Sequence, residues 1–236
     1  CMENPHACRG LLLLRQLAEQ TGGALLDEEG KKELFAPGRK VEPLFQDRWP
    51  LVLSDTFNSN PHGWYLGGYD DEFGVADQRL RNGAFRWEIT AKQGALWWDV
   101  PEDGPFVSDF TFTADLEQVS GPPDADYGVL FRVADDNNFY YFALSVGQLY
   151  GFFLLEDNEW RTLIDWTEAE VIQPDGVNTV TVSAEGPRFT FFVNGEPVAS
   201  HVDDTLPGGE IGLAVSMQTE GDAGVFEFDN LEVRAP

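Results

Sequence analysis

Residues 127–156 read YGVLFRVADDNNFYYFALSVGQLYGFFLLE, and this stretch decides the fold. Three runs of aromatic and aliphatic residues are separated by two short polar turns, DDNN and VGQ. Turn residues between apolar runs of this length predict consecutive antiparallel strands. The apolar residues continue on both faces, so one face must meet a second sheet while the other is covered or carries aromatic groups outward. The stretch therefore predicts the middle of a β-sandwich.

Alternation with a period of two continues on both sides of this stretch. Phe110, Phe112, Ala114 and Leu116 share one face of a predicted strand, and Asn194-Gly195 is a strong signal for a two-residue hairpin. The first strand after Pro50 and the last strand before the end of the chain are expected to pair side by side. We predict an all-β fold, a two-sheet antiparallel jelly-roll sandwich of about eleven to thirteen strands.

The N-terminal region has a different character from the sandwich. Leu11 to Gln20 is predicted to form a short helix, because apolar residues recur at helical spacing and Thr21-Gly22-Gly23 follows as a stop. A charged segment interrupted by prolines then runs to Pro50 and is typical of a connector. We therefore divide the chain into a helix and connector at residues 1–50, packing on the sandwich, and the sandwich itself at residues 51–236.

The charge balance excludes several classes of partner. The chain of 236 residues has 41 Asp and Glu against 15 Lys and Arg, a formal net charge of −26. Such an excess repels the phosphates of nucleic acids and the surface of anionic lipid. The classes of binding partner that this charge still allows are neutral ligands, cations and basic proteins.

The two cysteines, Cys1 and Cys8, both precede the predicted sandwich. A chain that begins with cysteine resembles a mature bacterial lipoprotein, in which this residue carries the lipid. The alternatives are a disulfide between Cys1 and Cys8 or the end of a fragment. No run reaches the roughly 18 apolar residues that a transmembrane helix needs. Membrane association is therefore expected only through lipid at Cys1 or through a partner subunit.

Several motifs occur together in the order expected of one superfamily. They are DTF at Asp55 to Phe57, Gly63-Trp64, YGVLFR at Tyr127 to Arg132, FTFFVNGEPV at Phe189 to Val198, GEIGLAV at Gly209 to Val215 and FEFDNLEV at Phe226 to Val233. Residues 51–235 thus resemble the bacterial concanavalin A-like lectin/glucanase superfamily, and within it the laminin G-like and keto-disaccharide hydrolase-like domains. The resemblance implies a jelly roll that binds carbohydrate or a protein partner and, in some members, cleaves glycosides.

One acidic motif calls for comparison with glycoside hydrolases. Glu227, Asp229 and Glu232 are spaced as in the E-x-D-x-x-E strand of laminarinase-type enzymes, which use paired carboxylates as nucleophile and acid. The apolar phase shifts by one residue between Phe228 and Leu231, so a bulge near Asp229 would bring all three carboxylates to one face. The motif lies in the closing strand, however, where an outward acidic strand is the simpler interpretation.

Other chemistries receive less support from the sequence. The three histidines lie far apart, and no spacing of ligands typical of zinc is present. No cofactor is therefore expected, with the exception of calcium, whose hard oxygen donors are available at Asp135, Asp136 and Asn138. Asp and Asn also favour turns for their own backbone reasons, which is the alternative interpretation of this cluster.

Aromatic side chains are the strongest candidates for ligand binding, because the apolar face of a sugar ring stacks on indole or phenol rings. Alternation and loop position predict outward or accessible rings at six positions. These are Trp64, Tyr65, Trp97, Tyr140, Trp160 and Trp166.

Together these features predict a non-catalytic, extracytoplasmic binding domain, secreted or lipid-anchored at the cell surface, that recognises carbohydrate or a cell-envelope polymer. The alternative is a structural or assembly subunit that contacts other envelope proteins. A glycoside hydrolase acting through Glu227, Asp229 and Glu232 is the third hypothesis.

Overall fold

A computed structural model describes residues 49–236, which form fifteen strands. In chain order they are β1 Leu51–Asp55, β2 Gly67–Asp70, β3 Gly74–Arg81, β4 Ala84–Ala91, β5 Ala95–Asp99, β6 Phe110–Ser120, β7 Asp126–Asp135, β8 Asn138–Ser145, β9 Leu149–Glu156, β10 Glu159–Glu168, β11 Asn178–Glu185, β12 Arg188–Val193, β13 Glu196–Val202, β14 Glu210–Met217 and β15 Ala223–Arg234. The described residues thus hold more strands than the sequence predicts. The helix predicted at Leu11 to Gln20 and most of the connector lie outside the described residues.

The strands form two antiparallel sheets, which confirms the predicted fold class. The nine-stranded sheet has the order β13-β12-β11-β6-β15-β4-β3-β2, and β1 pairs with β15. The six-stranded sheet has the order β10-β9-β8-β7-β14-β5. The expected pairing of the first and last strands is also confirmed, with Asp55 opposite Leu231.

The turns follow the chemistry that the sequence predicts. Asn194 and Gly195 have φ values of 53° and 80°, and they join β12 to β13 as a two-residue turn with both central residues left-handed. The predicted turns DDNN and VGQ connect β7 to β8 and β8 to β9. Consecutive hairpins therefore place β7, β8, β9 and β10 side by side in the six-stranded sheet.

The main core lies between the two sheets and is rich in phenylalanine. The rings of Phe142 and Phe191 stack with centroids 4.4 Å apart, and Phe131 and Phe152 lie 5.8 Å apart with nearly parallel planes. All four side chains are fully buried. Because each buried aromatic side chain removes a large apolar area from water, at about 25 cal/mol per Å², this layer supplies much of the stability.

Arg132 is a buried cation within this apolar layer. Its backbone has φ 49° at a shift of the β7–β8 register, and its side chain is 2% exposed. The guanidinium donates to the backbone oxygens of Ser108, Gly186 and Leu206 at 2.6–2.8 Å and lies 4.8 Å from the ring centre of Phe189. One side chain thereby links three separate connections between strands.

The proposed routes to a membrane fall outside the described part of the chain. Within residues 49–236, no helix has the length and apolar composition needed to cross a bilayer. Cys1 and Cys8 precede these residues, so lipid attachment and a disulfide between them stay predictions.

Candidate functional site

A second hydrophobic cluster covers the face of the six-stranded sheet that points away from the nine-stranded sheet. Its buried members are Leu130, Val133, Phe139, Tyr141, Ala143, Phe153, Leu155 and Ala214. Trp160 and Trp166 pack against this cluster and stay partly exposed, and Trp98 is 37% exposed. We call the six rings of Trp98, Phe139, Tyr141, Phe153, Trp160 and Trp166 the outer aromatic face. The sequence left open whether the second apolar face is covered or carries aromatic groups outward, and within residues 49–236 it carries partly exposed rings.

Two tryptophans from opposite edges of the sheet converge on one phenylalanine. Trp98 comes from β5 at one edge and Trp160 from β10 at the other, and both rings lie 5.7 Å from the ring of Phe139. The planes are inclined by 44° and 77°, so the tryptophans pack against Phe139 without lying flat on it. Since the floor is buried and the tryptophans are partly exposed, indole surface is what this part of the face presents to solvent.

A second group of rings continues the face toward the middle of β9. Phe153 lies 6.3 Å from Tyr141 and 5.4 Å from Trp166. Gly151 makes this arrangement possible, because a Cβ at this position would lie 2.5 Å from the Phe153 ring and 3.3 Å from Trp166. Any larger residue would displace Phe153, and Trp166 with it.

A buried carboxyl lies at the end of this second group. Asp126, the first residue of β7, is 7% exposed and accepts a hydrogen bond from the Tyr141 hydroxyl at 2.7 Å. Gln218 Nε2 lies 3.5 Å from its other oxygen, and Ser216 is its cross-strand neighbour. Burial raises the pKa of the Asp126 carboxyl to about 7, against the opposing effect of the hydrogen bonds from Tyr141 and Ser216. Among the described residues, no Lys or Arg forms an ion pair with it.

Three of the six predicted aromatic residues are accessible in the structure. Trp160 and Trp166 lie on the outer aromatic face, as partly exposed rings on the edge strand β10. Tyr65 is 48% exposed, but it lies in the loop between β1 and β2, where its ring contacts Tyr69. The structure therefore brings only Trp160 and Trp166 together on one surface.

The outward orientation predicted for the other three is wrong. Trp97 and Tyr140 are 5% and 0% exposed and belong to the main core, while their sequence neighbours face outward. Both faces of these strands are apolar, so alternation gives two sets of residues without showing which set meets the second sheet. Trp64 was expected to be accessible in a Gly-rich loop. It is 2% exposed instead, packs against Phe57 with the ring planes inclined by 58°, and donates its indole N–H to Asp55 at 3.0 Å.

The residues that sequence reasoning missed are Trp98, Phe139, Tyr141, Phe153 and Asp126. Trp98, Phe139 and Tyr141 belong to the alternate set of β5 and β8, and choosing the opposite phase would have found them. Phe153 lies on β9, a strand for which no outward ring was predicted. Asp126 has a weaker signal, since a single carboxylate directly before an apolar strand is equally typical of a solvated turn.

The acidic motif of the closing strand lies on the other side of the molecule. The predicted bulge is confirmed, because the β15–β6 register shifts between Asp229 and Glu232 and Asn230 has φ 48°. All three carboxylates therefore lie on the outer surface of the nine-stranded sheet. Glu227 forms an ion pair with Arg86 at 2.5 Å. Burial is the main cause that raises the pKa of Asp229. The outer aromatic face, on the opposite sheet, contributes no ring to this motif.

The nine-stranded sheet also has a depression of about 650 Å³ on its outer surface. Its three carboxylates, Asp70, Asp77 and Glu88, are each paired with a Lys or Arg side chain. Tyr69 is the aromatic residue in its lining, and it packs against the main core. This depression is large enough for a ligand, but the carboxylates named above are all in ion pairs and its tyrosine ring packs against the core. The outer aromatic face is therefore the better candidate site.

The turn predicted to bind calcium uses its oxygens for internal hydrogen bonds. Asp135 Oδ1 accepts from the Asn137 backbone N–H and from Asn138 Nδ2, both at 2.8 Å, and these bonds lower the pKa of its carboxyl. Asn138 Oδ1 accepts from the Asp157 backbone N–H at 2.9 Å. Within residues 49–236, no three His, Cys, Asp or Glu side chains are grouped to hold a metal ion. Calcium binding at Asp135, Asp136 and Asn138 stays a prediction.

Solved structures share this architecture at low sequence identity. The carbohydrate binding module CBM66 from Bacillus subtilis superposes with a TM-score of 0.56 at 18% identity, over 73% of this chain and 96% of that one. The β-glucanase of Bacillus licheniformis gives 0.57 at 9% identity, over 78% and 97%. A Bacillus subtilis protein of unknown function with a galectin-like fold gives 0.56 at 11% identity, over 78% and 95%. At these identities the likeness shows the fold alone.

Sequence comparison gives the family more directly than the superpositions do. No curated protein sequence matches the chain. The sequence model of the 3-keto-alpha-glucoside-1,2-lyase-like domain matches residues 54–234, which is most of the described sandwich. The predicted resemblance is thereby confirmed, and the chain belongs to the 3-keto-alpha-glucoside-1,2-lyase-like domain family of concanavalin A-like jelly rolls.

Proposed function

We propose that the sandwich is a non-catalytic domain that binds carbohydrate through the outer aromatic face. The observation that carries this proposal is the convergence of Trp98 and Trp160 on Phe139, which holds two partly exposed indole rings on a rigid floor. Sugar rings stack their apolar C–H faces on indoles, and rings held by packing lose little entropy when a ligand binds. Two proteins with the same fold are a carbohydrate binding module and a β-glucanase, which agrees with this class of ligand.

Polar groups beside the rings can serve the sugar hydroxyls. Gln218 and Ser216 lie at the Asp126 end of the face, where Gln218 Nε2 donates to Ser216 Oγ at 2.8 Å. Asp165 and Thr167 flank Trp166 on the edge strand. Binding sites for small polar ligands combine an apolar floor with a few polar groups at its border, which is the arrangement here.

We place this activity outside the cytoplasm, at the cell surface or in the secreted fraction. Glycan-binding domains meet their polymers there, and the acidic surface keeps such a domain soluble without drawing it to nucleic acid. Lipid attachment at Cys1 would hold the domain at the envelope. Mass spectrometry of the native chain tests this part separately, because an attached lipid adds mass to the N-terminal peptide.

Trp98→Ala and Trp160→Ala are each expected to weaken glycan binding by about 30-fold, equal to about 2 kcal/mol, because each removes a central stacking ring. The measurement is a glycan array to choose a neutral oligosaccharide, followed by calorimetric titration of the wild type and both variants. Thermal unfolding of each variant shows whether the floor around Phe139 is retained.

Phe73→Ala is the matched control. Phe73 is 43% exposed, but it lies in the turn between β2 and β3 of the other sheet. Its removal should leave the affinity unchanged. Loss of binding in Phe73→Ala to the same extent as in Trp98→Ala, or an array without a single bound glycan, would refute the proposal.

A second candidate function is elimination on a keto-sugar, as the family description names a lyase. Asp126 is the observation that favours it, because a carboxyl with a pKa of about 7 is suited to accept a proton near neutral pH. A 1,2-elimination moves the proton on C2, which is acidified by the neighbouring ketone, to a base while the C1–O bond breaks and the aglycone leaves.

The two functions separate in one assay. If the domain is an enzyme, incubation with a 3-keto-glucoside releases the aglycone, and Asp126→Asn abolishes release while the variant stays folded. If it only binds, the aglycone is not released and the affinity of the wild type for the intact glycoside is still measurable.

A further inference from the structure

The six-stranded sheet carries far more acid than base. Its strands contain the carboxylates Asp99, Asp126, Asp135, Glu156, Glu159, Asp165, Glu168 and Glu210. They contain two cations, Arg132 and Arg161. Arg132 is buried on the core side, and Arg161 is paired with Glu156 and Asp203 at 2.8 and 3.5 Å. Within the described strands of this sheet, neither cation is free to meet a ligand on the outer aromatic face.

Each of the three tryptophans on the face has a carboxylate as its neighbour in sequence. Asp99 follows Trp98, whereas Glu159 precedes Trp160 and Asp165 precedes Trp166. Side chains of neighbouring strand residues point to opposite faces, so adjacency in sequence does not by itself place these carboxylates over the rings. Glu159, Asp165 and Glu168 are exposed on the edge strand β10. Their charge reaches a ligand on the rings from the edge of the sheet, across a distance comparable to the Debye length of about 8 Å in physiological salt.

Asp126 adds an acid to the same face, and no Lys or Arg among residues 49–236 forms an ion pair with it. It lies at the end of the chain of rings that runs through Tyr141 and Phe153 to Trp166. Indole rings attract cations to their π faces. Rings and carboxylates thus favour the same kind of ligand, one with a positive charge.

We propose that the outer aromatic face selects saccharides that carry protonated amino groups, with an ammonium over a tryptophan ring and near the exposed carboxylates of the edge strand β10, Glu159, Asp165 and Glu168. The proposal rests on carbohydrate binding at this face and names its substrate class. Polymers of free amino sugars fit, whereas uronic acid and sulfated polymers are repelled by the same carboxylates.

The test is calorimetric titration of the full chain with three oligomers of equal length, made of glucosamine, N-acetylglucosamine or galacturonic acid. The glucosamine oligomer is expected to bind at least about tenfold more tightly than the N-acetylated one, equal to about 1.4 kcal/mol. This preference should shrink between about 0.01 M and about 1 M salt, where the Debye length falls from about 30 Å to about 3 Å. The galacturonic acid oligomer should bind most weakly.

A pair of double variants locates the charge effect. Glu159→Gln with Glu168→Gln removes two exposed carboxylates of the edge strand β10 and should reduce the preference for free amines while leaving affinity for the N-acetylated oligomer unchanged. Glu117→Gln with Glu232→Gln removes the same amount of charge from the outer surface of the nine-stranded sheet and should leave the preference intact.

The outcomes distinguish this inference from the proposed function. Equal affinity for the free and acetylated oligomers, or tight binding of the uronic acid oligomer, overturns the amine preference but leaves carbohydrate binding standing. Absence of binding to every oligomer overturns both. A lysine-rich peptide that binds more tightly than the glucosamine oligomer also overturns the inference, because the occupant would then be a protein.

Discussion

Replacing Arg132 by alanine is expected to lower the free energy of unfolding by about 3–5 kcal/mol. The guanidinium satisfies the backbone oxygens of Ser108, Gly186 and Leu206, which lie in three different connections. Removing it leaves these acceptors without their donor and opens a cavity beside Phe189. Urea unfolding followed by tryptophan fluorescence measures the change.

Two further variants separate the causes. Arg132→Lys keeps the charge but has no planar fork to reach three oxygens at once, so it should also lose stability. Arg81→Ala is the control, since Arg81 is an exposed arginine on β3, and its removal should change stability by less than about 0.5 kcal/mol. If Arg132→Ala unfolds at the same urea concentration as the wild type, the three connections do not depend on this side chain.

The sequence predicted the layers of the fold well because local chemistry determines them. Asn194-Gly195 can only be a tight turn, and the period of two along β6 and β14 requires one face to be buried. The bulge in β15 was also predictable, because the apolar phase slips between Phe228 and Leu231 and only an inserted residue restores it. In each case the deciding information lies within a few residues.

The outer aromatic face could not be predicted in this way. Tyr140 and Tyr141 are adjacent tyrosines in the same apolar run, so the sequence does not distinguish their orientations. Which of them points outward depends on the side of β8 that the nine-stranded sheet occupies. The convergence of Trp98 and Trp160 on Phe139 joins residues 62 positions apart and exists only once the order of the strands is known. Site residues of this kind are set by topology, which periodicity does not report.

The buried carboxyl of Asp126 was also not predicted from the sequence, and it leads to a pH-dependent result. Asp126→Asn is expected to stabilise the protein above pH 7 by up to about 4 kcal/mol and to have little effect below about pH 4. The folded protein raises the pKa of this carboxyl from 3.8 to about 7, chiefly by burial. Unfolding therefore releases a proton between these values.

The sign follows from this proton balance. Because the folded state holds the extra proton, the contribution of Asp126 to stability falls as the pH rises from about 4 to 7, and the asparagine variant does not titrate. The readout is the difference between variant and wild type in urea unfolding at each pH. Burial raises the pKa of Asp99 to about 6. In both proteins Asp99 therefore causes a smaller decline of its own in the free energy of unfolding as the pH rises.

Asp175→Asn is the control, because Asp175 is an exposed carboxylate in the loop between β10 and β11, away from Asp126, and should leave the pH profile unchanged. If Asp126→Asn instead destabilises the protein at pH 8, the carboxylate is ionised in the folded state and held by its hydrogen bonds.

The expected result would mean that the protein keeps a carboxyl that costs stability at neutral pH, beside the rings of the outer aromatic face. Such a cost is typical of a group retained for its chemistry and not for the fold. A variant that gains stability and at the same time loses its preference for amino sugars would therefore assign Asp126 to the ligand.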